Sequence, residues 1–135
     1  MTENEISYKI RGAIYDIYNN LGAGLLESVY VSALEWELLN CGLQVRKEVP
    51  IPVIYKDIKM DLGFRLDLLV EDKVIIEVKS VENLAEVHHK QVLTYLKLTG
   101  LKLAILVNFN VANINEGIFR KVNGLKTPAD DADTR

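Results

Sequence analysis

An α/β fold is predicted: one domain with a mixed central sheet flanked by helices, in the order α-α-β-β-β-α-β, with room for a final edge strand. Three observations carry this. Apolar residues recur at helical spacing in three long segments, whereas the runs between and after them alternate or are continuously apolar, as strands are. The chain has 135 residues and is 49% apolar, enough for one core and short for two. Helices and strands interleave without an internal repeat, which favours helices packed on the faces of a single sheet.

Ile6, Ile10, Ala13, Ile14, Ile17 and Tyr18 form the first helical stripe, behind a Thr2-x-x-Glu5 capping box. That helix should end near "NNLGAG". Residues 25–40 carry a second stripe through Leu26, Val29, Tyr30, Ala33 and Leu34, with Gly42 placed to stop it. Between 43 and 55, Val45, Val49, Ile51 and Val53 alternate with polar residues, and Pro50 and Pro52 restrict this strand to an edge. Residues 60–70 and 73–79 read as two strands around a tight acidic turn. Residues 85–100 return to helical spacing, with Val92, Leu93 and Leu96 as core stripe and Gly100 as stop. "LKLAILVNF" suits a strand buried on both faces, and "GIFRKV" a last edge strand.

Composition excludes several classes. No apolar run approaches the roughly 18 residues of a membrane span, and "MTENEISYKI" has neither the basic flank nor the apolar centre of a signal peptide. The expectation is a soluble, cytoplasmic protein with no membrane partner. The single cysteine, Cys41, can form neither an internal disulfide nor a CxxC metal motif, and is expected to be a small buried residue near a helix end. Net charge is −3, of which the tail 127–135 holds −2, so the domain 1–126 is nearly neutral and the tail is expected to be flexible and acidic. This balance neither supports nor excludes a polyanionic substrate, because a bound divalent cation would reverse the local sign.

"RLDLLVEDKVIIEVK", residues 65–79, carries charges where a strand pair would prefer none. Opposed residues of an antiparallel pair share a face, so register decides what those charges do. A two-residue turn at Glu71 and Asp72 would set Asp67 against Ile76 and mix charged with apolar residues on both faces. A three-residue turn, 71–73, sets Leu66 with Val78, Leu68 with Ile76 and Val70 with Val74 on one face. The opposite face then collects Asp67 with Glu77 and Arg65 with Lys79. The apolar pattern selects this second register. Like charges so opposed cost on the order of a few tenths of a kcal/mol per pair, which something should offset. One explanation is diagonal pairing, Arg65 with Glu77 and Asp67 with Lys79, on a solvated face. The other is a divalent cation shared by Asp67 and Glu77, with Lys79 alongside to meet an anionic substrate.

"GLLESVY", residues 24–30, supplies a third acid. With Gly24 as N-cap, Glu27 would be the N3 residue and its carboxylate a helix cap; Tyr30 would be a core aromatic with its hydroxyl at the rim. Gly24, Glu27 and Tyr30 also spell G-x-x-E-x-x-Y, and the chain resembles the small bacterial family of that name within the PD-(D/E)XK nuclease-like superfamily. "LGAGLLESVY", "YKDIKMDLGFRLDLLVEDKVIIEVKSVENL", "HHKQVLTYLKLTG" and "LVNFNV" look like that family's blocks, in its order. The superfamily's proline is absent, since Leu66 precedes Asp67.

The resemblance implies a restriction-endonuclease-like domain. It implies that Asp67 and Glu77 ligate Mg²⁺, with Mn²⁺ as a substitute, that Lys79 positions water and the scissile phosphate, and that Glu27 completes the acidic cluster. Gln91 matches a glutamine that follows the motif in many members, and shares an i, i+3, i+7 stripe with His88 and Tyr95. Arg65, Tyr30, His88 and Tyr95 become candidate substrate contacts, although His88 and His89 also read as plain solvent-facing residues. The function so implied is Mg²⁺-dependent hydrolysis of phosphodiester bonds in nucleic acid, DNA ahead of RNA. The alternative is a catalytically silent nuclease-like module that binds nucleic acid or a protein partner. Edge strands and small size also make a homodimer compatible with the sequence.

Overall fold

The computed structural model describes residues 1–125, the side chains of 61 and 62 excepted, so the expected acidic tail, 127–135, lies outside the described residues. Helix α1, Glu3–Leu21, begins as its capping box requires. Thr2 Oγ1 accepts the Glu5 N–H at 3.2 Å and Glu5 Oε1 accepts the Thr2 N–H at 3.1 Å. Its apolar stripe is buried as expected from Ile6 to Ile17, Tyr18 only in part, and Gly22, at φ 70, ends it. Helix α2, Glu27–Asn40, buries Tyr30, Val31, Leu34 and Leu38. The expected Leu26 and Val29 are instead 74% and 41% exposed. Apolar residues lie all around this helix, so periodicity alone could not select the face that packs. Cys41 caps the helix C-terminus and is exposed, contrary to expectation, because it lies past the last turn that the core covers.

Strands β1 (Val45–Tyr55), β2 (Ile58–Val70), β3 (Val74–Lys79), β4 (Leu103–Asn108) and β5 (Ile118–Val122) form one mixed sheet in sequential order. Every neighbouring pair is antiparallel except β3 and β4, joined by the crossover helix α3, Glu86–Thr99. Pro50 and Pro52 sit on the edge strand β1, where a missing N–H costs no ladder bond on the outer side. The central strands are buried on both faces, β4 along its whole length. One face packs Leu68, Val70, Val74, Ile76 and Val78 against α1 and α2, and the other packs Leu69, Ile75, Ala104 and Leu106 against α3. On α3 the core stripe is Val92, Tyr95 and Leu96; Leu93 is 40% exposed, and Tyr95 takes its place.

A 3₁₀ turn, Ile114–Gly117, precedes β5 and was not expected from the sequence. Its closure depends on Gly117, where any Cβ would overlap the Asn108 carbonyl oxygen. The β2–β3 hairpin adopts the three-residue-turn register, with Leu68 opposite Ile76, Leu69 opposite Ile75 and Val70 opposite Val74. Glu71 and Asp72 hold left-handed backbone there, at φ 54 and 53. Their carboxylates turn toward the start of β1: Glu71 accepts the Gln44 N–H at 2.6 Å and Asp72 pairs with Arg46 at 2.7 Å.

Candidate active site

The β2–β3 backbone pairing stops at Leu68 and Ile76, one residue short of the two acids. Beyond that point side chains replace the ladder. The Asp67 N–H donates to Glu77 Oε1 at 3.1 Å, and the Val78 N–H donates to Asp67 Oδ2 at 2.8 Å. Each strand thus binds the other through a carboxylate, and the two acids are held side by side.

Across β2, pairing to β1 also skips one position: Lys47 faces Leu68 and Val49 faces Leu66, while Glu48, opposite Asp67, holds φ 55. Alternation reverses at this level on both strands. Val45 packs with the α1/α2 cluster and Lys47 reaches Glu35 of α2 at 3.6 Å, whereas Val49 and Leu66 pack in the cluster under α3. Leu66 is therefore not on the face of Val78, as strict alternation predicted; the irregularity at Glu48 and Asp67 turns it over. The same turn aims Asp67 into a cavity of about 350 Å³ that it lines with Glu27, Ser28, Ser32, Lys47 and Glu48.

Glu77 is only 4% exposed, and burial, then the Asp67 charge, pushes its carboxyl up to about 8. The Asp67 carboxyl is also raised, burial outweighing the Val78 N–H and the Lys79 charge that pull it down. Diagonal ion pairing does not relieve this repulsion. Among the described residues the ion pairs are Arg46–Asp72, Lys47–Glu35 and Lys90–Glu86, so neither Arg65 nor Lys79 is paired. A solvated face of compensated charges is thus not what the fold builds. It builds a close pair of carboxyls, Glu77 buried and Asp67 half-buried, in which ionising both is unfavourable, an arrangement that costs stability and is typical of functional sites.

Two adjacent carboxylates fit the needs of Mg²⁺, which takes one or two from protein and fills its remaining positions with water and phosphate oxygens. A third does not join them: among the described residues no group of three His, Cys, Asp or Glu side chains converges closely enough to hold a metal. Glu27, expected to complete the cluster, lines the same cavity as Asp67 but spends one carboxylate oxygen on Ser80. Helix α2 starts later than expected, with Leu26 as N-cap and Glu27 as its first residue, so Glu27 is not the N3 cap of Gly24, which holds φ 95 in the loop before it. Its Oε2 accepts the Ser80 N–H at 3.3 Å, and Ser80 Oγ donates to the Leu25 carbonyl at 2.6 Å. These bonds dock the start of α2 on the end of β3, near enough for the Glu27 charge to raise Asp67 further.

Tyr30 is fully buried, stacked on Phe109 with ring centroids 4.2 Å apart. Its hydroxyl donates to the Gly22 carbonyl at 2.6 Å and accepts the Leu25 N–H at 3.2 Å, so it braces the α1–α2 loop and is not open to substrate, as had been expected. His88 is likewise turned to a local use: its Nδ1 accepts the Ala85 N–H at 3.0 Å at the start of α3. His89 packs edge-on against Phe119, where burial first, and Lys121 next, lower its pKa. Tyr95 does meet the site. Its hydroxyl is pushed up to about 12 by burial and then by the charges of Glu77 and Asp67, so it keeps its proton near the site. Gln91 is half-buried one turn earlier on α3, Lys79 is half-buried at the end of β3, and Arg65 is exposed on β2.

Three contributors were not foreseen. Asn108, opposite Lys79 across the parallel pair, is 2% exposed, and its side chain accepts from Val81 and Asn110 N–H at 3.1 and 3.2 Å and donates to the Val81 carbonyl at 2.9 Å. It fixes the chain leaving β3, and with it Lys79. The available signal was a lone amide closing the apolar run "LAILVN". Ser80 and Glu48 carried no such signal, because their roles depend on a docked helix and on a break in strand pairing.

Among the described residues no helix is long and apolar enough to cross a membrane. A family model of the PD-(D/E)XK nuclease superfamily matches residues 4–121, and the chain belongs to that superfamily, with the restriction-endonuclease-like fold its three helices and mixed sheet display. Comparison with curated proteins and with solved structures gave no significant match.

Proposed function

We propose that this member of the PD-(D/E)XK nuclease superfamily, of the GxxExxY group by its Gly24, Glu27 and Tyr30, is a Mg²⁺-dependent nuclease that hydrolyses phosphodiester bonds, DNA ahead of RNA. One observation carries the reading: Asp67, half-buried, and Glu77, buried, are held together and, among the described residues, in no ion pair, where the β2–β3 ladder ends, with Lys79 next but one on β3. Asp67 and Glu77 are the residues that would hold the cation, with Mn²⁺ as a substitute. A divalent cation there supplies a water of lowered pKa and neutralises phosphate charge.

The chain's own groups do the rest. Lys79 places a positive charge where charge grows on the phosphate oxygens in the transition state. Tyr95 keeps its proton and can donate to a site carboxylate. Gln91, one turn before Tyr95 on α3, is assigned the part of orienting the nucleophilic water. Glu27, through Ser80, holds α2 against the end of β3. The assay is hydrolysis of single-stranded, duplex and branched DNA and of RNA with Mg²⁺ or Mn²⁺. Cleavage lost in Asp67→Ala and Lys79→Ala supports the reading; cleavage of nothing, or cleavage indifferent to both changes, ends it.

A second reading has its own observation, the diversion of Glu27 to Ser80, which leaves two carboxylates in place of three. A silent module that binds nucleic acid or protein needs no cation. Calorimetric titration with Mg²⁺ separates the two, since only the enzyme must take it up through Asp67 and Glu77.

A further inference from the structure

We propose that the outer part of the β1–β2 hairpin is an arm that enters the major groove of double-stranded DNA, so that the substrate of the site includes a duplex DNA segment. This rests on the nuclease reading above. Strand β2 pairs with β1 from Val70 and Val45 out to Ile58 and Tyr55, but with β3 only over Leu68–Val70. From Arg65 to the tip the sheet is therefore two strands wide. A two-stranded ribbon is one of the elements that the B-DNA major groove, about 12 Å across, admits. The deep, narrow major groove of an RNA duplex does not admit it.

The side chains of the ribbon suit that groove. Lys56 and Asp57 both hold positive φ, 48 and 65, the tight turn whose twist matches its strands, so the tip is short. Ile54, Tyr55 and Ile58 around it are 67%, 56% and 60% exposed. Apolar side chains at an open ribbon end are a liability unless something covers them, and thymine methyl groups would do so. Lys56, over the Tyr55 ring, Lys59 and Arg65 are exposed and, among the described residues, in no ion pair, and they would meet phosphates on the groove walls. The acids of the same ribbon are Asp57 and Asp61.

The arm is also continuous with the site. Since Leu66 packs under α3, alternation sends Arg65 to the other face, the side of the Asp67 cavity. Seven steps along β1 separate Glu48, opposite Asp67, from Tyr55, which at ~3.3 Å each is roughly 23 Å. At ~3.4 Å per base pair the tip reaches about seven base pairs from the scissile phosphate.

The test is fluorescence anisotropy on duplex DNA, duplex RNA and single-stranded DNA of about two helical turns, in a Glu77→Gln background that cannot cleave. Lys56→Glu with Lys59→Glu is compared with Ile54→Ser, Tyr55→Ser and Ile58→Ser combined, and a thermal melt checks that each variant folds. Loss of the two lysine contacts should lower the salt slope for duplex DNA by about 1.8 and weaken binding at least tenfold, with little change on duplex RNA. Unchanged duplex-DNA binding in both variants overturns the arm, as does an equal loss on duplex RNA. A tip variant that only converts a dimer to a monomer in sedimentation overturns it in favour of self-association. If the unmodified chain cleaves DNA while arm variants bind duplex normally, the arm alone fails; if it neither binds nor cleaves any nucleic acid, the nuclease reading fails with it.

Discussion

The two ends of the β2–β3 hairpin are built from one pair of strands and behave in opposite ways. Near the turn, Leu68, Leu69 and Val70 face Ile76, Ile75 and Val74 in a regular ladder, all six buried. At the far end the ladder gives way, and the Glu77 and Asp67 carboxylates hold the strands by accepting the Asp67 and Val78 N–H groups respectively. The turn end gains from burial of apolar surface with its polar groups satisfied. The far end sets a buried carboxyl against a half-buried one, and ionising both has a cost that the rest of the sheet must absorb. Stability and chemistry are thus separated by a single residue step along β2.

Breaking the far end should have the largest consequence. Asp67→Ala, Glu77→Ala and Lys79→Ala should each lower kcat by about 10²–10³-fold, the scale of losing one group that stabilises charge in a transition state. Single-turnover cleavage measures it, and urea melts should show each variant folded. At the turn end the loss moves from activity to stability. Leu68→Ala or Ile76→Ala should cost about 2–5 kcal/mol in urea unfolding, with the rate per folded molecule unchanged.

The like-charge pair sharpens the contrast through pH. Both carboxyls are raised in the folded state, Glu77 to about 8 from an ordinary 4.5, so the fold holds more protons than the unfolded chain across that window. Stability contributed by the pair is complete below the ordinary carboxylate pKa and is lost as pH rises through the raised one. In chelator, Tm should fall as pH climbs toward about 9. Glu77→Gln, which keeps an acceptor for the Asp67 N–H, should flatten that fall and raise Tm at the alkaline end while abolishing cleavage. A Tm that rises with pH, or a Gln variant no more stable there, would dismiss the buried repulsion.

The smallest effect is expected at the docking contact. Ser80→Ala removes the hydroxyl that donates to Leu25 and should cost about 1 kcal/mol. Cleavage should drop only a few-fold, because Glu27 retains the Ser80 backbone N–H. A loss as large as that of Asp67→Ala would place Ser80 in the chemistry itself.

The fold was legible in the sequence where one requirement governed each position. Capping at Thr2 and Glu5, the glycine stop at Gly100, the prolines of the edge strand and the hairpin register all follow from local conformational rules or from a single face that must be buried. Helix α2 was misread where that condition lapsed. Leu26, Val29 and the buried Tyr30, Val31 and Leu34 are equally apolar, and only α1 and the sheet decide which of them are covered.

The site divides along the same line. Residue types and spacing were enough to bring Asp67, Glu77 and Lys79 together, because register on adjacent strands is determined by the apolar residues around them. Glu27, Tyr30 and His88 took their partners from loops and helix ends, Ser80, Gly22 and Ala85, whose positions depend on packing distant in sequence. The reversal at Glu48 and Asp67 is of that second kind. A break in alternation depends on what each face must bury, so it becomes visible only when α2 lies on one side of the sheet and α3 on the other.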